Sequence, residues 1–238
     1  MKKIMRGVLL FGMLGGMILA CGNKSNNSNN SNNSTNSQAI KNEKVYKIGV
    51  SQIVDHPALN AAKQGFKDAL AKAGIKADYD DKIANNEMSN QTLIMQQFSS
   101  DKKDLVYAIT TPTAQAAKNQ VDKNIPVVFA SVTDPKSAGL VGISNVTGTS
   151  GAAPVEENLK LMKELFPKAK NIGIIYNSSE QNSVSEVNNL KRLAPKYGFN
   201  VVDKSVTNGT ELVSAANLVV KQADLLYAIQ DNTVASYI

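Results

Sequence analysis

Five short segments hold the side chains best placed to meet a ligand. They are Ser51-Gln52-Ile53-Val54-Asp55-His56, Thr110-Thr111-Pro112-Thr113, Ser131-Val132-Thr133-Asp134-Pro135, Asn177-Ser178-Ser179-Glu180-Gln181-Asn182-Ser183 and Asp231-Asn232-Thr233. Four of the five put hydroxyls or amides just ahead of an expected helix. Such groups cap the helix, and the free N–H groups of its first turn, with its dipole, favour an anion. Capping alone accounts for any one segment; several segments converging on one cleft favour binding. His56 is the sole histidine. The sequence has no Cys/His metal spacing, glycine-rich phosphate loop or nucleophile elbow, so no catalysis, metal or other cofactor is expected.

The segments follow strands in an alternating pattern. The first half reads as a strand over 45–51, then a helix over 57–73 with Leu59, Ala62, Phe66 and Leu70 on one stripe. Next come a short strand near 77–79, a helix from about 89, a strand over 105–109, and a helix opened by Pro112 and Thr113. Strands over 126–130 and 139–143 complete this half. The second half reads as a helix over 154–166 stopped by Pro167, a strand over 172–176, and a helix over 183–197. A strand over 199–202, a helix carrying Leu212, Ala215 and Val219, and a strand over 225–229 follow. Alternation of this kind demands α/β architecture with parallel sheets and right-handed crossovers. Such sheets bind ligands at the carboxyl ends of their strands, where the five segments lie. The expectation is two doubly wound lobes, 45–147 and 148–238, with a ligand cleft between them and the second lobe incomplete.

An internal repeat supports two lobes. Asp104-Leu-Val-Tyr-Ala-Ile109 returns as Asp224-Leu-Leu-Tyr-Ala-Ile229, Ile48-Gly49-Val50 as Ile172-Gly173-Ile174, and Gly74 as Gly198. A period near 120 residues far exceeds a solenoid unit of roughly 20–50.

The first forty-odd residues belong to neither lobe. Lys2, Lys3 and Arg6 precede an uncharged apolar run from Gly7 to Ala20, the length of a signal-peptide core and too short to span a bilayer. Ile18-Leu19-Ala20-Cys21 resembles the lipobox of bacterial lipoproteins, which implies cleavage after residue 20 and a lipid on Cys21. Residues 21–44 are rich in Asn and Ser and are expected to be a disordered tether. The formal net charge is +6, but three of the basic residues lie in the first six positions and the other lysines are scattered. No basic stripe supports nucleic-acid binding.

The segments together resemble the type I periplasmic-binding-fold lipoproteins of ABC importers, in the branch linked to tryptophan and tyrosine uptake. The resemblance runs from Val45 to the last residue. It rests on Ile48-Gly-Val-Ser51 with His56-Pro-Ala-Leu59, Thr111-Pro-Thr-Ala-Gln115 and Val127-Val-Phe-Ala-Ser-Val-Thr-Asp-Pro135. Asn145-Val-Thr-Gly148, Ile174-Ile-Tyr-Asn177 with Glu180-Gln-Asn-Ser183, and Asp231-Asn232-Thr233 complete it. It implies an exported, membrane-anchored protein that binds a small molecule by cleft closure and hands it to permease and ATPase subunits, with the hinge near 145–153. Members of the family are longer by roughly the second half of a lobe.

The ligand implied is a zwitterionic amino acid, aromatic in this branch. Its carboxylate is expected near Thr111, Thr113, Ser131 and Thr133, and its ammonium at Asp231 or, second, at Asp134, for which a turn is the competing role. Asn182 and Ser183 bond the ligand or cap a helix. Ser51, His56 and Asn232 line the cleft. A nucleoside or sugar ligand, and a surface lipoprotein without transport, are the competing readings; the lack of any Trp weakens the sugar.

Overall fold

The computed structural model describes residues 44–237. The expected signal segment, Cys21 and nearly all of the expected tether lie outside the described residues. Within them the chain forms β1 (Tyr46–Gln52), α1 (Pro57–Lys72), β2 (Ala77–Ile83), α2 (Met88–Ser100), β3 (Leu105–Ile109), α3 (Thr111–Gln120), β4 (Val127–Val132) and β5 (Val146–Ser150). It continues as α4 (Val155–Leu165), β6 (Asn171–Asn177), α5 (Gln181–Leu193), β7 (Asn200–Val206), α6 (Leu212–Val219), β8 (Leu225–Leu226) and α7 (Asn232–Ala235). The strands make two sheets, ordered β2-β1-β3-β4-β5 and β7-β6-β8. Every pairing is parallel.

The first sheet is covered on both faces. Alternate residues of β3 separate its two cores: Val106 and Ala108 pack with Met95, Phe98 and Ala117, whereas Tyr107 and Ile109 pack with Leu59, Phe66 and Leu70. Two-sided burial explains why β3 reads as an unbroken apolar run. Phe66 stacks on Tyr107 with ring centres 4.0 Å apart. In the second sheet Ile172 and Ile174 pack with Leu159, Val187 and Leu190, and Ile175 packs with the cluster of Val206, Leu212 and Ala215.

The repeat is a structural one. Asp104 and Asp224 precede β3 and β8, and each accepts backbone N–H bonds at the start of the neighbouring strand. Asp104 takes the Lys47 N–H at 2.8 Å, and Asp224 takes those of Lys170 and Asn171, also at 2.8 Å. Gly49 and Gly173 sit where a helix crosses closely. A Cβ at Gly49 would meet the Phe98 ring, and one at Gly173 would meet Val219.

Some expectations are corrected. Residues 139–143 are turns rather than a strand, because Gly139 and Gly142 take φ values of +69° and +80° that break any ladder. The fifth strand is Val146–Ser150, within the segment expected to be the hinge, so the chain leaves the first sheet after residue 150 rather than at 147. Gly148 is packed there, with Phe129 filling the space a Cβ would need. The helix expected to reach 197 ends at Leu193 and continues as a 3₁₀ turn containing Pro195. The strand expected over 225–229 pairs only at Leu225 and Leu226. No helix among the described residues is long and apolar enough to cross a membrane.

Gly49→Ala would put its Cβ 2.6 Å from the ring of Phe98, which has no exposed surface and so little room to move. The variant is expected to lose about 1–3 kcal/mol of stability, read as a lower urea midpoint at unchanged m-value.

Candidate functional site

The loops at the carboxyl ends of both sheets meet around one cavity of about 270 Å³. On the first-sheet side, His56 caps α1: its Nδ1 accepts the Ala58 N–H at 3.2 Å, which puts the imidazole proton on Nε2. Gln52 braces the same loop by donating to Val54 O and Asn60 Oδ1, each at 2.9 Å. At the end of β3, Thr110 takes φ +90°, a conformation strained for a residue with a side chain. Bonds hold it there. Its N–H reaches Ala130 O at 3.0 Å, and its hydroxyl lies 3.1 Å from the Thr113 hydroxyl, which donates to Gln91. The turn presents the start of α3 to the cavity. Thr111, the first residue of that helix, is 1% exposed, and its Oγ1 has no partner among the described residues.

The second-sheet side depends on buried carboxylates. Past Leu226 the chain keeps one more ladder-like bond, from Tyr227 N–H to Gly173 O. Side chains take over from there. Glu186 accepts the Gln230 N–H at 3.0 Å. Asp231 accepts the Asn177 N–H at 2.6 Å and the Ser183 hydroxyl at 2.7 Å through Oδ2, and caps α7 by accepting the Val234 N–H through Oδ1. Glu180 accepts the N–H and hydroxyl of Thr233 through Oε1, and the backbone and side-chain N–H groups of Asn232 through Oε2. Asn182 donates from Nδ2 to Gln230 O at 2.7 Å and to Glu180 Oε2 at 3.2 Å. Its Oδ1 is buried and has no partner among the described residues, on a residue that lines the cavity.

Of the residues singled out from sequence, His56, Thr111, Ser131, Thr133, Asn182, Asp231 and Asn232 line this cavity. Ser51, Thr113 and Ser183 do not. They are fully buried behind it, Ser51 and Thr113 bonded to Gln91 and Ser183 to Asp231. Asp134 is also elsewhere. It accepts the Lys136 and Ser137 N–H groups and the Ser137 hydroxyl in a turn, and lines a separate hollow beside Ser185. Its turn role is therefore the one the geometry favours. Sequence reasoning assigned no individual role to Thr110, Gln230 or the apolar lining of Val54, Leu59 and Ile229, nor to Glu180 and Glu186 behind it. The Asp-Leu-Φ-Tyr-Ala-Ile repeat pointed to Thr110 and Gln230, since both follow it directly.

Hydrogen bonds join the two sides. Thr133 donates to Gln230 Oε1 at 3.3 Å, Asn86 to Thr233 Oγ1 at 3.3 Å, and Ser185 to Asp134 Oδ2 at 3.2 Å. The potential is asymmetric. The positive end of the α3 dipole stands on one side, while on the other Asn182 lies against the Glu180 carboxylate. Burial raises the Asp231 carboxyl above the ordinary carboxylate range, and the Glu180 charge adds to it. Burial also raises Glu186. Among the described residues no group of His, Cys, Asp and Glu could hold a metal ion.

Residues 47–238 match the family described as ABC transporter substrate binding protein. A tyrosine-binding protein from Clostridioides difficile is 42% identical over 99% of this chain and 69% of its own length. The crystal structure of an ABC domain in complex with L-Trp from Streptococcus pneumonia superposes with a TM-score of 0.78, at 35% identity, covering 81% of this chain and 68% of that one. The ligand-free, open structure of a substrate-binding protein with adhesive properties from Clostridium difficile covers the same shares at 46% identity, yet its TM-score is only 0.57.

A raised carboxyl such as Glu186 stays protonated in the folded chain at a pH where the unfolded chain has already lost the proton. Its contribution to stability is therefore greatest at low pH and is lost as pH rises through the raised value. Glu186→Gln removes this dependence. The difference in urea midpoint between variant and wild type is expected to move in the variant's favour from about pH 4.3, the ordinary glutamate value, toward neutrality.

Proposed function

Since the chain belongs to the ABC transporter substrate-binding proteins, we propose that its solute is a zwitterionic amino acid with an aromatic side chain. The observation that carries this reading is the pair of buried polar atoms without partners among the described residues, Thr111 Oγ1 and Asn182 Oδ1, on two residues that line one cavity. A buried polar atom left unpaired costs roughly 1–3 kcal/mol, so two at one cavity favour a ligand that satisfies both. They differ in character. Thr111 stands at the positive end of α3, where a carboxylate is stabilised. Asn182 Oδ1 is an acceptor, and the bonds of Nδ2 to Gln230 O and Glu180 fix the amide in that orientation. It suits an ammonium, with Asp231 and Glu180 supplying negative potential nearby.

Val54, Leu59 and Ile229 offer apolar surface to a side chain between these poles, and a volume of about 270 Å³ suits a single amino acid. A sugar or nucleoside lacks the paired opposite charges. Asp231, whose oxygens are held by Asn177, Ser183 and Val234, acts on the ammonium through its field. The bonds between the two sides, together with the closer match to the L-Trp complex than to the open relative, support a closed, ligand-competent arrangement. A ligand touching both sides selects that state. The solute passes to the permease and ATPase of an ABC importer, on the outer face of the membrane to which a lipid on Cys21 holds the protein. Retention in the aqueous phase on detergent partitioning of the cell-derived protein would contradict the anchor.

Isothermal titration calorimetry with L-tyrosine, L-tryptophan, glucose and adenosine tests the ligand. One or both amino acids are expected to bind and the other two not. Thr111→Val, close in shape but without the hydroxyl, is expected to weaken binding about tenfold. Binding of glucose or adenosine with no response to either amino acid refutes the reading.

A further inference from the structure

We propose that Glu180 is the positioning residue of the ammonium subsite: it touches no ligand, but it orients Asn182 and fixes the loop that faces it. The proposal rests on the amino-acid reading above.

The geometry is specific to this carboxylate. Glu180 is 7% exposed, and no cation pairs with it among the described residues. A buried anion without a counter-charge needs hydrogen-bond donors, and Glu180 draws its donors from Asn182 and Asn232 of the cavity wall and from the adjoining Thr233. Oε1 takes the Thr233 N–H at 2.9 Å and its hydroxyl at 2.8 Å; Oε2 takes the Asn232 N–H at 3.0 Å and Nδ2 at 2.6 Å, and Asn182 Nδ2 at 3.2 Å. The last bond, with the shorter one from Asn182 Nδ2 to Gln230 O at 2.7 Å, fixes the orientation of the Asn182 amide. With Nδ2 drawn to Glu180 and to Gln230 O, Oδ1 of this cavity-lining residue is left as an acceptor with no partner among the described residues.

Thr233 extends the effect. Held by Glu180, it accepts from Asn177 Nδ2 at 2.8 Å and from Asn86 Nδ2 of the opposite side at 3.3 Å. One carboxylate thus orders an acceptor for the ligand and a contact that links the two sides. Replacing it by an amide would put an NH₂ group against donors. The mismatch loosens Asn182 and the Asn232–Thr233 segment together, and with them the acceptor that would meet the ammonium.

The test compares two ligands on the full chain: L-tyrosine, and 3-(4-hydroxyphenyl)propanoate, which lacks the ammonium. Wild type is expected to prefer L-tyrosine by at least about 100-fold, as a site built around a polar group rejects an analogue without it. In Glu180→Gln the L-tyrosine affinity is expected to fall by at least about tenfold, while that of the analogue changes by less than about threefold. Glu180→Asp keeps the charge on a shorter arm. It provides the same comparison should the amide variant not fold, with an expected loss of preference of at least about threefold. A purely structural role would weaken both ligands by one factor. Equal losses, or an unchanged preference in the folded variants, overturn the proposal while leaving the amino-acid reading intact. Wild type that binds the analogue as well as L-tyrosine, or binds neither, overturns both.

Discussion

Three buried carboxylates, Glu180, Glu186 and Asp231, take over where the backbone ladder of the second sheet stops. β8 pairs with β6 only at Leu225 and Leu226. The residues that follow must still enter the cavity in a fixed path, because Ile229, Gln230, Asp231 and Asn232 form one of its walls. Backbone N–H groups at Asn177, Gln230, Asn232, Thr233 and Val234 all end on these three side chains. Charged acceptors make bonds worth roughly 1.5–3 kcal/mol each, enough to hold a short segment that has no neighbour to zip against. Burying the charges has an opposing cost, visible in the raised carboxyls of Glu186 and Asp231.

The first sheet solves the corresponding problem in another way. Its β3 pairs on both sides, so the chain after it is fixed by the ladder itself and by a strained turn at Thr110. That turn places the open end of α3 at the cavity with the Thr111 hydroxyl unpaired. One wall therefore supplies donors from a helix start and the other supplies acceptors from a carboxylate network. On the reading proposed above, equivalent strands of the repeat hold opposite ends of one polar ligand. Such a cavity also acts on conformation, because a solute that satisfies both walls adds its bonds only when the walls are together.

Much of this was legible in the sequence, and the omissions have physical causes. The βα alternation and the repeat of Asp104–Ile109 at 224–229 led to two parallel sheets, since apolar runs and helix stripes report burial directly. The strand expected at 139–143 failed because Leu140 and Val141 are apolar enough for a strand, while the flanking glycines take left-handed conformations that composition does not reveal. At the site, loop position identified His56, Thr111, Thr133, Asn182 and Asn232 as cavity residues. It could not separate Thr111 from Thr113, neighbours of like type of which only one is left unpaired. Asp231 was expected to pair with the ammonium, and its bonds to Asn177 and Ser183 depend on contacts 54 and 48 residues apart. Glu180 was passed over for the same reason, as its partners lie more than 50 residues away.

The central claim is that the two walls have opposite polarity and bind opposite ends of one amino acid. A crystal structure of the protein grown with L-tyrosine tests it most directly. The account predicts a ligand carboxylate within hydrogen-bond distance of Thr111 Oγ1 and the first N–H groups of α3, and an ammonium within the same distance of Asn182 Oδ1. A ligand bound in the reverse orientation, or held outside this cavity with both atoms still unpaired, would contradict it.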